Sequence, residues 1–128
     1  MNKYKDTPQD IHSRIYKFVI NCFKNVVKKI PKNTESFPII SQISSSLTSI
    51  GANDQEADGA STKKDFIAKY YIVKKETKET KYWLKETKYW LSVIKDTDLL
   101  IKEVVEPYIE ECHEILMIVS KIINNTKY

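Results

Sequence analysis

Apolar residues recur at helical spacing in four separate stretches of this chain. In the first, about residues 7–30, Ile11, Ile15, Phe18, Cys22 and Val26 follow one another at intervals of three or four, and Val19, Phe23, Val27 and Ile30 widen the stripe. That is the broad apolar face of a bundle helix. Thr7 or Asp6 is placed to cap it, Pro8 suits the first helical position, and Pro31 ends it. The second stretch, about 36–58, is crowded with serines, a composition common in linkers. Phe37, Ile40, Ile43, Leu47 and Ile50 still keep a helical rhythm through it, so a helix is predicted, with Ser44, Gly51 and Ala52 small enough to admit a close neighbour.

Gly59 suits the end of that helix, and Thr62-x-x-Asp65 resembles a capping box for the next. A connection this short predicts antiparallel neighbours. The third stretch, about 62–94, would span about 50 Å at about 1.5 Å per residue. Its seam is Phe66, Tyr70, Val73, Thr77, Thr80, Leu84, Thr87, Leu91 and Ile94, wetter than an ordinary core because of its threonines. After a turn at residues 96–100, the fourth stretch, about 103–125, carries Val105, Tyr108, Cys112, Ile115, Val119 and Ile122, flanked by Ile109, Leu116 and Ile123. Pro107 is expected in its first turn, where a missing N–H costs little. Four amphipathic helices with short connections predict an all-α protein, an antiparallel up-down four-helix bundle forming a single domain over residues 1–128.

Within the third stretch, Lys78-Glu79-Thr80-Lys81-Tyr82-Trp83-Leu84 is repeated at once as Lys85-Glu86-Thr87-Lys88-Tyr89-Trp90-Leu91. Seven residues fall about 20° short of two helical turns, so the insertion leaves buried and wet faces in place. It either lengthens helix three by two turns or is absorbed in the turn before helix four.

Composition agrees with this picture. The chain has 128 residues, 41% of them apolar, enough for one core. Two glycines and four prolines are few for a β protein and leave no phosphate-cradling glycine loop. Cys22 and Cys112 lie on apolar helix faces and read as buried free thiols. The opening residues lack the apolar run of a secretory signal, and no stretch reaches membrane-spanning length, so the cytoplasm is the expected compartment and no membrane partner is expected. Net charge is +4, unevenly spread. Residues 1–30 and 61–95 are rich in lysine, whereas Asp96, Asp98, Glu103, Glu106, Glu110, Glu111 and Glu114 face only Lys102 in residues 96–120. Such asymmetry serves helix-to-helix matching in an assembly or a basic face for a polyanion.

The run Ser46-Leu47-Thr48-Ser49-Ile50-Gly51-Ala52-Asn53-Asp54-Gln55-Glu56-Ala57, followed by Lys63-Lys64-Asp65-Phe66-Ile67 and by Lys75-Glu76-Thr77-Lys78-Glu79-Thr80-Lys81-Tyr82-Trp83-Leu84, resembles a bacterial family of four-helix-bundle proteins first recognised as reading frames in intervening sequences of 23S rRNA genes. The resemblance covers about residues 8–125. It implies an antiparallel bundle that assembles into a ring, typically a homopentamer. A related branch, the accessory proteins of diversity-generating retroelements, forms basic pentamers that bind nucleic acid and a reverse transcriptase. The resemblance brings no catalytic residues. Asn53, Glu56, Asp65 and Trp83 match its signature positions with a structural role, and the doubled Tyr-Trp-Leu segment departs from its pattern.

Candidate chemistry is sparse. Glu110-x-x-His113 has the spacing of a di-iron helix, but such a site needs a second pair and further inward carboxylates; position 9, before His12, is Gln. No nucleophile–base constellation accompanies Cys22, Cys112 or His12, so no enzyme activity, cofactor or metal is expected. Lys74, Lys78, Lys81, Lys85 and Lys88 form a basic stripe on helix three, with Lys75, Tyr82 and Tyr89 alongside. It reads as a nonspecific RNA or DNA contact or as a solvated face neutralised by Glu76, Glu79 and Glu86. Lysine without arginine is poorly suited to specific base reading. Trp83 and Trp90 share a face and suggest a subunit contact. Asn53 and Glu56, mid-helix beside small residues, suggest a polar network fixing helix register. The expected function is a noncatalytic homo-oligomeric bundle, five subunits by the resemblance, whose basic surface contacts nucleic acid. The alternative is a structural scaffold that binds a protein partner and no nucleic acid.

Overall fold

A computed structural model describes residues 8–94 and 99–126. Four α-helices make up the architecture: α1 (Pro8–Asn25), α2 (Phe37–Asp58), α3 (Lys63–Ile94) and α4 (Leu99–Thr126), with a 3₁₀ turn at Val27–Lys29 after α1. Contacts between helices run in opposite directions along each neighbouring pair. Ser46 and Asp54 of α2 meet Thr80 and Tyr70 of α3. Lys81 and Lys88 of α3 meet His113 and Glu106 of α4. His12 of α1 meets Asp54 and Asp58, and α4 returns beside α1 through Arg14–Glu111 and Asn25–Tyr108. The bundle is therefore up-down-up-down.

The apolar stripes predict most of the core. Ile11, Ile15, Phe18, Cys22 and Val26 from α1, Ile43, Leu47 and Ile50 from α2, and Val105, Cys112, Ile115, Val119 and Ile122 from α4 are all buried. Cys22 and Cys112 are free thiols, and burial pushes the Cys22 pKa up to about 12 and that of Cys112 up as well. The α3 seam is buried at Tyr70, Val73, Thr77, Thr80, Leu84 and Thr87. The side chains of Leu91 and Ile94, the turn at 95–98 and the cap at Asp6 or Thr7 lie outside the described residues.

The threonines do not make this seam wet. Thr77 donates to the Val73 carbonyl at 2.7 Å and Thr87 to that of Trp83 at 2.7 Å, each one turn back on its own helix. Thr80 lies 2.9 Å from the Glu76 carbonyl and 2.7 Å from Ser46 Oγ, which in turn donates to the Ile43 carbonyl at 3.1 Å. With the hydroxyl turned onto the helix backbone, a threonine offers the core the methyl and shape of a valine.

Local differences from the pattern have local causes. The first helix tightens into 3₁₀ geometry because Ile30, which precedes Pro31, is held extended at φ −68° and ψ 126°. Phe37 is exposed, and Ile39 takes the buried place at the start of α2. Phe37 lies six residues before buried Ile43, about 120° around the helix. Ser36 N donates to Asn33 Oδ1 at 2.9 Å, while the Ser36 hydroxyl is buried without a partner among the described residues. Thr62 Oγ1 does accept the Asp65 amide at 3.1 Å, the cap predicted for α3. A methyl added at Gly51 would meet Val19 at 4.0 Å, an ordinary contact, so that approach does not demand glycine.

Two larger questions concern the long helices. α3 runs unbroken through both heptads, so the duplication lengthens the helix. α4 starts at Leu99, which places Pro107 inside the helix and not in its first turn. The carbonyl that loses its partner belongs to Glu103; both residues are exposed, on a face where water can replace the bond.

Candidate nucleic-acid interface

Because α3 presents one side to α2, one to α4 and one outward, its polar residues sort by position. On the outward side, Tyr71, Lys75, Lys78, Tyr82, Lys85 and Tyr89 follow one another at intervals of three and four, and all are exposed. Lys74, Lys81 and Lys88 lie nearer α4 and are half-buried. Toward α2 stand Trp83, Glu86 and Trp90.

The five-lysine stripe thus divides along its length. Lys88 pairs with Glu106 at 2.7 Å, and Lys81 Nζ stands 3.5 Å from His113 Nδ1. Lys74 and Lys78 line an open groove of about 570 Å³ between α3 and α4, together with Lys121, Met117, Ser120, Asn124 and Asn125. Past Glu114, α4 has no acid, so this end of the groove is basic. Among the described residues, Lys74, Lys78 and Lys85 have no carboxylate oxygen within 4.0 Å. The nearby glutamates fail to neutralise them because Glu79 follows Lys78, and Glu86 follows Lys85, by a single residue, about 100° around the helix. Glu86 instead accepts from Trp90 Nε1 at 2.9 Å.

Trp83 packs against the core, while Trp90 is 43% exposed. The two line one hollow of about 420 Å³ with Glu35, Pro38 and Ile39. Phe37, also exposed, lies about 180° around α2 from Ser46, which meets α3, so it is not on this face.

Asn53 bonds within its own helix, to the Ser49 carbonyl at 2.9 Å and Ser49 Oγ at 3.2 Å. Glu56 is exposed and pairs with Lys69 at 2.9 Å. The buried polar network between helices runs through their neighbour Asp54. Its Oδ1 lies 2.6 Å from His12 Nδ1 and accepts the Tyr70 hydroxyl at 2.7 Å, while His12 Nε2 faces Asp58 at 3.3 Å. Burial works against the His12 imidazolium, but the hydrogen bond and charge of Asp54, with the charge of Asp58, outweigh it and hold the pKa above the ordinary 6.5. Burial and then the same carboxylates push the Tyr70 phenol up. One signal for this tie was present: Asp54 continues the apolar series Ile43, Leu47, Ile50 at the next helical step. The arrangement joins α1, α2 and α3 and offers no nucleophile. His113 is exposed, and among the described residues no group of three His, Cys, Asp or Glu side chains is placed to hold a metal ion. No described helix is long and apolar enough to cross a membrane.

No curated protein matches the chain. Among solved structures, it is similar to a protein of unknown function from the S23 ribosomal protein family of Bacteroides thetaiotaomicron VPI-5482, with 30% identity, coverage of 91% of this chain and 97% of that one, and a TM-score of 0.73. The sequence pattern of the 23S rRNA-intervening sequence protein family matches residues 8–121. On that match, which takes in all four helices, the chain belongs to the 23S rRNA-intervening sequence protein family.

Proposed function

We propose that this protein is a noncatalytic, self-associating helical bundle that binds RNA or DNA with little sequence preference through the lysine-bearing side of α3. The observation that supports this reading is the set of lysines without carboxylate partners, Lys74, Lys78 and Lys85, beside exposed Tyr82 and Tyr89. Lysines attract phosphate through charge and carry no base-reading fork, so the expected binding is strong at low salt and indifferent to sequence. Self-association is assigned to the α2–α3 face around Trp83 and Trp90, with five subunits, the number the family resemblance implies; the cytoplasm is the compartment the sequence leads one to expect. A docking site for a protein partner is the competing use of that face, favoured by its exposed Trp90 and the hollow beside it.

The test is a salt series. Binding to a structured RNA and to duplex DNA is measured alongside oligomer mass by light scattering. Micromolar affinity that falls steeply between 50 and 200 mM salt is the expected result. A stable oligomer that binds neither polyanion at the lowest salt leaves the protein-scaffold reading in its place.

A further inference from the structure

The outward side of α3 carries more than charge. Tyr82 and Tyr89 are 52% and 58% exposed, with Lys78 and Lys85 each four residues earlier on the same side. Each tyrosine stands edge-to-face with the tryptophan that follows it: centroids are 5.0 Å apart at 84° for Tyr82–Trp83, and 5.2 Å at 82° for Tyr89–Trp90. The duplicated heptad therefore reproduces a lysine, a ring and the orientation of that ring about 10.5 Å further along the helix.

Resting on the nucleic-acid reading above, we propose that this face takes a single strand, with bases stacked on Tyr82 and Tyr89 and phosphates held by Lys78 and Lys85. The duplicated heptad is then a second copy of one binding step. A stacked strand rises about 3.4 Å along its axis per nucleotide, so one heptad of about 10.5 Å matches the rise of about three stacked nucleotides. A lysine line alone would serve a duplex or a single strand equally. Ring faces are useful only to unpaired bases, because paired bases keep their faces inside the stack. Stacking also accepts any base, in keeping with a face whose cations are all lysines. The neighbouring indole meets each phenol ring edge-to-face, a contact that favours one ring orientation before a base arrives.

The full chain, its Tyr82→Leu, Tyr89→Leu and Lys78→Gln/Lys85→Gln variants, and a deletion of residues 85–91 are titrated by fluorescence anisotropy against a labelled 12-nucleotide oligo-uridine and a 12-base-pair duplex. Circular dichroism confirms that each remains helical. Each tyrosine change is expected to weaken single-strand binding at least fivefold and leave duplex binding unchanged. The lysine pair should weaken both and lower the single-strand salt slope by about 1.4. The heptad deletion should shorten the occluded strand by about three nucleotides. If the tyrosine variants bind the single strand like the parent while the lysine variant does not, contact is through phosphate alone; this proposal falls and the nucleic-acid reading stands. If no variant, nor the parent, binds either probe at 20 mM salt, both fall together.

Discussion

Residues 78–84 and 85–91 are the same seven amino acids in the same helix, yet they occupy different surroundings. In the first copy Trp83 packs on the core, Thr80 reaches across to Ser46 of α2, and Lys81 faces His113. In the second, Trp90 is 43% exposed, Thr87 bonds only to its own backbone, and Lys88 pairs with Glu106. What the copies share is what the helix itself supplies: a threonine hydroxyl on the carbonyl one turn back and the Tyr–Trp edge contact. What differs is supplied by the chain opposite, which differs because α2 begins only at Phe37 and α4 is acidic near that end. Identical sequence thus separates intrinsic helix geometry from tertiary context inside one molecule.

The hardest break is at Leu84, fully buried at the end of the first copy. Leu84→Ala should cost about 2–5 kcal/mol in urea unfolding, since a core cavity adds to lost transfer energy. Removing the whole second copy, residues 85–91, should do less harm, because the heptad preserves helix phase. A deletion that abolishes cooperative unfolding, beside a Leu84→Ala protein that still unfolds cooperatively, would reverse the ranking and show the repeat to be part of the core.

The tryptophans come next. Trp83→Ala should cost about 2–3 kcal/mol, less than the ~3–5 of a fully enclosed ring because Trp83 is half-buried. Trp90→Ala should cost under about 1 kcal/mol of unfolding free energy. If the α2–α3 face is the subunit contact, both variants should lose oligomer mass by light scattering. Unchanged mass in two helical variants removes that assignment.

At the threonines the comparison sharpens. Thr87→Val should be within about 0.5 kcal/mol of neutral, because Thr87 bonds only to a carbonyl already in the helix ladder. Thr80→Val removes a buried partner of Ser46 Oγ and should cost about 1–2 kcal/mol. Thermal melts that rank the two the other way would mean that the cross-helix hydroxyl contact contributes nothing.

The helical rhythm made the helices, their order and most of the core legible, because burial of one stripe per helix is a property each segment carries by itself. Phe37 and Pro107 were misplaced where boundaries depend on the neighbouring chain. The polar tie was legible in kind but not in place: Asn53 and Glu56 drew attention as polar residues among small ones, while Asp54, on the apolar stripe, was the one with His12 and Tyr70 waiting across the interface. A cross-helix partner has no signature in local spacing. That tie also gives the end of the bundle remote from the repeat a pH dependence of its own. The folded His12 pKa lies above its unfolded value of about 6.5, so its contribution is fully present below that value and is lost as pH rises through the folded one. Melting temperature should therefore fall as pH rises above about 6.5, and the fall should flatten in His12→Gln. An equal slope in parent and variant would assign the dependence elsewhere.

The smallest effect separates the two lysines that occupy equivalent heptad positions. Lys88 and Glu106 are each almost half exposed, so their ion pair should be worth at most about 1 kcal/mol and less in high salt. Lys81 has only the His113 ring nearby, with no carboxylate in reach among the described residues. A double-mutant cycle of Lys88→Gln with Glu106→Gln should give a coupling of a few tenths of a kcal/mol that shrinks in 0.5 M salt, while Lys81→Gln with His113→Gln should give none. Equal couplings at the two sites would mean that the charge of α4, spread along its acidic half, acts on both lysines as a field and that the 2.7 Å contact adds nothing of its own.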